Sequence, residues 1–417
     1  MATLGIIADD FTGGLMIAGY IEAAGIECPV LFDTTHLEEA LHAPVVVVAT
    51  RTRLIPAGEA LAEVRRIVGL FDASGIGQVG YKVCASFDST DEGNIGPVAD
   101  LLADRYGQAQ LLLSAGFPRF NTTMHQGYLF YRGRLVSESI KRFDPLTPMS
   151  DPDMVRTLAR QTAAKVGLLA HGTLVKGEAA ARAALAALAD EGVRHVLMDC
   201  SDDADAAVGA ALASGHRATI GSDAHIIEVA KLAGRGAAGA RPAAPEHAKG
   251  PAAVIVGSVG PVATTQLAAF GAAYPVHTID IMDHRSEKAV AADVIARVRG
   301  DIGARPFAVA TATGPEDVER AQAIHGALKA ARRAERILAL VAAGLVDLGV
   351  RRLAVAGGET SGAIVEELGI GQVRALPESE LGTGFCIAEG PRKLSLYLKP
   401  GKLGADDILL RAVQAMD

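Results

Sequence analysis

Short apolar runs recur along this chain, and each ends in a polar or glycine-rich turn. The first half shows them at residues 4–8, 28–32, 45–49, 77–83, 110–115, 165–169 and 195–198. Runs of that length bounded by turn signals predict buried strands. Between them lie stretches whose apolar residues recur three or four apart, which predicts helices at 15–24, 58–71, 151–163 and 178–190. In the second of these, Leu61, Val64, Ile67, Val68 and Phe71 share one face. In the third, Ser150 or Asp151 starts the helix and Pro152 sits in its first turn. Strand and helix in alternation predict an α/β fold with a mostly parallel sheet flanked by helices.

The pattern restarts after a change of composition. Residues 233–251 are small, polar and proline-containing, which predicts an exposed linker. The expected division is a domain at 1–235, a linker at 236–251 and a second domain at 252–417. Limited proteolysis is expected to cut first in the linker. The second half predicts strands at 252–256, 276–281, 306–311, 351–356 and 394–398. It predicts helices at 262–270, 321–348 (with a break at Gly344), 363–368 and 406–415. There is no internal repeat. Two such α/β domains suggest an active site in the cleft between them.

Composition narrows the function. The chain has 417 residues, 50% hydrophobic and 21% charged, enough for a sizeable core. Only 4% is aromatic and there is no Trp, which removes the stacking platforms of single-strand binders. A net charge of −8 argues against general nucleic-acid or membrane-surface binding. Cys28, Cys84, Cys200 and Cys386 form no CxxC pair, and Cys28, Cys84 and Cys386 are expected as buried thiols. No basic, apolar leader opens the sequence and no apolar run is long enough for a bilayer, so the expected location is cytoplasmic. A homo-oligomer remains open.

The chemistry gathers at predicted strand ends. Gly357, Gly358, Glu359 and Thr360 stand between a strand and a helix. Glycines let the backbone approach a ligand closely, and Thr360 or Ser361 could cap the helix and leave N–H groups free for a phosphate. The alternative is an ordinary capped turn; neither GxxxxGK[ST] nor GxGxxG is present. Ser258 and the pair Gly401 and Gly404 mark two similar turns. In the first half, Asp9 and Asp10 follow the first strand, where open parallel sheets bind ligands. One could act as base or hold a cation while the other caps the helix. Lys82, Ser86, Asp88, Ser89 and Asn94 follow another strand and suit a carboxylate and hydroxyls, with Arg51, His125, Gln126 and Gly127 as further substrate-side candidates.

The chain resembles the four-carbon acid sugar kinase family. The resemblance rests on IADDFTGG from Ile7, YKVCASFDSTDEGNIGPV from Tyr81, HQGYLF from His125, DPLTPMSD from Asp144 and AGGETSGAIVEELGI from Ala356. It runs nearly end to end and is nearest to the 3-oxo-tetronate 4-kinase subgroup. It implies an N-terminal acid-sugar domain and a C-terminal ATP domain, with Ser258 and the turns at 357–360 and 401–404 on ATP. It implies transfer of the γ-phosphoryl of ATP, with Mg2+, to the terminal 4-hydroxyl of a four-carbon acid. The first-choice acceptor is 3-oxo-tetronate; D-threonate, D-erythronate and L-threonate are alternatives, and a non-catalytic sensor is the rival class. Three segments depart from the family pattern. Arg119 to Thr123 replaces an ENGRT-like stretch, Asp223 and His225 enter a glycine/serine-rich turn, and Pro400 to Gly404 replaces an SGNFG-like segment.

Overall fold

The computed structural model describes residues 2–144, 146–235, 243–257, 260–311, 327–401 and 403–417, with backbone alone at 327 and 328. Ser258 and much of the expected linker (236–242) lie outside the described residues. The chain forms two compact units, Met1–Pro242 and Ala243–Asp417.

In the first unit the strands are β1 (Leu4–Ala8), β2 (Pro29–Leu31), β3 (Val45–Ala49), β4 (Gln78–Lys82), β5 (Leu111–Ser114), β6 (Thr122–His125), β7 (Tyr128–Tyr131), β8 (Arg134–Leu135), β9 (Val166–Leu169), β10 (His195–Met198) and β11 (Ala218–Gly221). The order β2-β3-β1-β4-β11-β5-β10-β9 makes a parallel sheet. Its central strands are buried end to end, as sheets covered on both faces require. Helices α1 (Phe11–Ala23), α2 (Ala57–Ala73), α3 (Ile95–Tyr106), α4 (Met154–Ala159), α5 (Glu178–Asp190), α6 (Asp203–Ala213) and α7 (Asp223–Gly234) connect them. The chain leaves β1 toward β2 and β3 on one side, then crosses to β4 on the other. The sheet therefore switches direction at β1/β4, where its C-terminal ends open a ligand crevice.

Residues 122–125 form β6, which opens a small antiparallel sheet, β6-β7-β8. Strand β6 mixes polar and apolar residues, and β7 (Tyr-Leu-Phe-Tyr), though apolar throughout, is only four residues long. The helix expected at 151–163 is shorter and starts later, because the Asp153 side chain accepts from Arg156 N and fixes the cap there.

In the second unit the strands are β12 (Ala252–Val256), β13 (Val276–Thr278), β14 (Phe307–Ala310), β15 (Arg352–Ala356), β16 (Gln372–Ala375), β17 (Phe385–Ala388) and β18 (Leu394–Lys399), in the order β13-β14-β12-β15-β18-β17-β16. All pairs from β13 to β18 are parallel; β17 runs antiparallel to both β18 and β16. The helices are α8 (Pro261–Gly271), α9 (Glu287–Val298), α10 (Ala327–Asp347), α11 (Gly358–Glu367) and α12 (Ile408–Ala415). Here the switch falls between β12 and β15. The break expected at Gly344 does not occur. A Cβ there would lie 2.3 Å from Ile295 Cδ1, so the glycine lets α9 and α10 approach.

Candidate active site

At the β1/β4 switch the two aspartates after β1 take different positions. Asp10 is the N-cap of α1: its carboxylate accepts from Gly13 N and from Thr12 Oγ1. Asp9 is buried and receives a bidentate pair from Arg53, Nε at 2.9 Å and Nη2 at 2.7 Å. Arg53 also reaches Asp10. The Asp9 side chain is 4% exposed and that of Asp10 26%, so of the two only Asp10 can present an oxygen to a ligand. Burial pushes the Asp10 carboxyl up, but Arg53 and Lys82 outweigh it and hold the group below the usual carboxylate range.

Arg53, not the Arg51 singled out in the sequence, joins this cluster; Arg51 is exposed. The loop that carries Arg53 is tied down from several sides. Thr50 donates to Ala8 O, Thr52 pairs with Thr50 and Tyr81, and Asn94 Nδ2 donates to Thr52 O at 2.6 Å. Asn94 thus positions the arginine loop.

Lys82, at the end of β4, turns its ammonium inward. Its side chain is 2% exposed and lies 3.3 Å from Asp223, itself buried at the start of α7. A Cβ on Gly13 would stand 2.4 Å from Lys82 Nζ, so only glycine lets the first turn of α1 close over the lysine. Burial pushes the Lys82 ammonium down, and Asp223, then Asp10, more than reverse that. The family departures at Asp223 and His225 fill the space beneath this edge. The His225 ring lies where a Cβ on Gly221 would be, its Nε2 pairs with Thr219 Oγ1 at 2.9 Å, and burial pushes it down to about 4.

In the loop after β4, Asp88 receives Lys141 Nζ at 2.5 Å and Ser86 Oγ at 2.7 Å. Burial raises the Asp88 carboxyl, but Lys141 and Ser86 hold it below its usual range. Cys84, expected as a buried thiol, is half exposed and donates to Asp88 at 3.4 Å. Ser89 accepts from Gln161 Nε2 at 2.9 Å and is buried.

His125, Gln126 and Gly127 form a separate group. Gln126 and Gly127 have φ of 50° and 79°, and their N–H groups donate to buried Asp199 at 2.7 and 2.9 Å. His125 Nδ1 pairs with Ser201 Oγ at 2.9 Å, and its ring stands 5.3 Å from that of His171. This turn leans on the loop after β10, three strand positions from β4. Arg119 lies over the Tyr20 ring at 4.9 Å.

In the second unit, the turn after β15 begins its helix earlier than expected. Gly357, at φ 135°, is the N-cap of α11, with no side chain capping it. Thr360 and Ser361 lie in the first turn instead of capping it. Ser361 Oγ donates back to Gly357 O at 2.7 Å, and Thr360 packs so closely on Gly257 that a Cβ there would meet its Oγ1 at 2.0 Å. Gly358 and Glu359 are exposed, and a Cβ on Gly358 would meet nothing within 4 Å. Gly257 closes β12 and donates to Ala356 O, so the two glycine ends adjoin at the switch point. Gly404, at φ 96°, lies beside Gln266, whose Nε2 donates to the carbonyls of Leu403, Gly404 and Ala405.

Sequence reasoning missed Arg53, Lys141 and Asp199 in the first unit and Lys399 in the second. Arg53 carried a usable signal: it follows Arg51 by two residues in the same strand-end loop, and alternate residues of an extended segment share a face. Lys141 and Asp199 carried none, since their partners are 53 and over 70 residues away.

Comparison with known proteins assigns both units. Residues 4–226 match the sugar-binding N-terminal domain family, and 253–409 the nucleotide-binding C-terminal domain family. A 3-oxo-tetronate kinase of Burkholderia multivorans is 36% identical over 99% of this chain and 97% of its own length. One of Methylobacterium radiotolerans is 36% identical over 99% of both. A solved structure from Salmonella typhimurium LT2 superposes with a TM-score of 0.86 at 30% identity over 99% of both chains. A Haemophilus influenzae protein does so with 0.75 at 27% identity, over 99% of this chain and all of its own. No helix among the described residues is long and apolar enough to cross a membrane. The chain belongs to the four-carbon acid sugar kinase family, and is an acid sugar kinase that moves a phosphoryl group from ATP to an alcohol.

Proposed function

We propose that this kinase phosphorylates the terminal hydroxyl of 3-oxo-tetronate. The carrying observation is the full-length likeness to 3-oxo-tetronate kinases at up to 36% identity. The acceptor lies at the β1/β4 edge of the first unit, where Asp10 offers the accessible carboxylate. Asp10 receives and orients the hydroxyl, whose oxygen attacks the γ-phosphorus as ADP leaves; the hydroxyl proton passes toward the Asp10 carboxylate. Such transfer is mostly positioning and charge neutralisation, so an ionised carboxylate of low basicity suffices. Asp9 fixes Arg53, and Arg53 holds Asp10 in place. Lys82 acts on the site through its charge from beneath the first turn of α1.

The donor phosphates lie against the N-terminus of α11, at Gly357, Gly358 and the first-turn N–H groups, where the helix dipole favours an anion. Among the described residues no three His, Cys, Asp or Glu side chains converge to hold a metal. Mg2+ in kinases is commonly carried on nucleotide phosphates and water with one or two carboxylates. In the first unit Asp10 offers the accessible carboxylate for such an ion, which would neutralise charge on the phosphates.

Gly358→Val checks the donor half. The added side chain has room and so leaves the fold intact, but it stands where a phosphate would lie. ATP affinity should fall about ten- to a hundredfold, the worth of one or two hydrogen bonds to a charged group. Unchanged ATP affinity in the folded variant would remove the turn from the phosphate site. The acceptor is tested by ADP release across a panel of four-carbon acids. Preference for threonate or erythronate over 3-oxo-tetronate would overturn the substrate assignment.

A further inference from the structure

One buried cation in the second unit has no charged partner among the described residues. Lys399 ends β18, 2% exposed, opposite Ala356 in the sheet register, and its carbonyl accepts Gly357 N–H at 3.0 Å. It therefore stands beside the strand end from which the Gly357 turn departs. Its Nζ donates to Gln266 Oε1 at 2.9 Å, and Gln266 in turn holds the carbonyls of Leu403, Gly404 and Ala405. An ammonium has three N–H donors, and among the described residues only this neutral amide receives one.

The surrounding elements supply no counter-charge among the described residues. Helix α8 carries no charged residue, and β17 only buried Cys386. Arg352 at the far end of β15 pairs with Asp417, Arg411 of α12 with Asp407, and Glu367 of α11 with Arg336. Glu359 and Glu366 of α11 are exposed. Burying a charge without a partner costs several kcal/mol in proteins even after relaxation, on the order of what destabilises a folded domain. A position that keeps such a charge, at the switch point of a nucleotide-binding domain, is best explained by an anion that arrives from outside.

We propose that Lys399 is the positive charge that the C-terminal unit sets against the phosphates of its nucleotide, with Gln266 holding both the lysine and the Gly404 turn in place. The proposal rests on the reading that the phosphates lie at the Gly357 turn. It has a thermodynamic consequence. Burial pushes the free Lys399 ammonium down to about 8, and a bound polyphosphate favours the charged form and raises it again. Nucleotide binding then takes up a proton. Affinity is present in full below the free value and falls as pH rises through it, by about tenfold per pH unit until the bound value is reached.

The test is calorimetric titration of the full chain with ADP and with adenosine, from pH 7.5 to 9.5. That range keeps the terminal phosphate, whose second ionisation lies near about 6, out of the titration. In the wild type, ADP affinity should fall with pH, with proton uptake visible as a dependence of heat on the buffer. Lys399→Met should bind ADP about ten- to a hundredfold more weakly at pH 7.5 and show a flat profile. Its fold is not at risk, because it removes an uncompensated buried charge, and the wild-type profile needs no variant at all. Adenosine should bind both proteins alike at every pH. A flat wild-type ADP profile overturns the proposal, as does a pH dependence that adenosine shares, which would mean that the lysine acts through the fold. Gly358→Val separates the two ideas. If it leaves ADP binding untouched, the turn is not the phosphate site and both fall. If it weakens ADP while the lysine results are flat, only the role of Lys399 falls.

Discussion

Asp10→Asn is expected to lower kcat and kcat/KM together, by on the order of 10²–10⁴-fold, while the melting temperature hardly moves. The substitution is clean because of where Asp10 sits. It caps α1 through its side-chain oxygen, and Asn caps a helix about as well as Asp. What the variant loses is the negative charge and the proton-accepting oxygen on the exposed side of the cluster. A purely capping residue would show neither loss. The sequence suggested a division of labour in which one aspartate caps and the other reacts. The structure gives both positions to Asp10 and makes Asp9 the partner of Arg53. Asp9→Asn is the less informative variant, since it breaks a buried bidentate pair and disturbs the fold as well as the site. Steady-state kinetics beside a thermal melt decide the matter: a near-normal kcat in Asp10→Asn would make the carboxylate structural and send the search for the acceptor's base to Asp88.

Asp223→Ala should cost about 3–5 kcal/mol of folding stability, because it leaves the buried Lys82 ammonium without its nearest counter-charge. The Asp223 carboxylate accepts no hydrogen bond among the described residues, so its worth lies in the charge pair alone. Asp10 and Asp9 also act on Lys82, which places the expected loss toward the lower end of that range. The double variant Lys82→Met/Asp223→Leu should recover most of the loss, since apolar replacement of a whole buried pair is often neutral. Urea unfolding of the three proteins tests this. A loss below about 1 kcal/mol in Asp223→Ala would show that the pair is solvated, as surface pairs are. If the double variant folds but binds the acceptor weakly, Lys82 contributes to the site through its field.

Much of the site could be named in the sequence, but not assembled there. The two-aspartate turn after β1, the polar run after β4 and the glycine turn after β15 all stand at strand ends, as their order in the chain predicted. The helix cap at Gly357 was misplaced at Thr360 or Ser361, because a hydroxyl is the usual cap and the chain alone does not reveal that Thr360 is buried against Gly257. Arg51, a substrate-side candidate in the sequence, is exposed while Arg53 joins the aspartates, a difference set by the ties of this loop to Ala8, Tyr81 and Asn94. The sequence does not mark the hairpin strands β6 and β7 or the antiparallel strands β16 and β17: β6 and β16 mix polar and apolar residues, and β7 is apolar over only four residues.

The α/β architecture is legible in the residue pattern alone, since strands such as Val45–Ala49 and Ala252–Val256 must be apolar throughout when helices cover both faces of a parallel sheet. That requirement is local and leaves a periodic trace. Which charges meet is settled by the folded chain: Arg53 with Asp9 and Asp10, Lys82 with Asp223, Lys141 with Asp88, and Lys399 with no charged partner among the described residues. Those pairings join residues 43 to 141 positions apart, brought together by strand order and crossover, and a buried charge leaves no periodic trace to say which partner it will find.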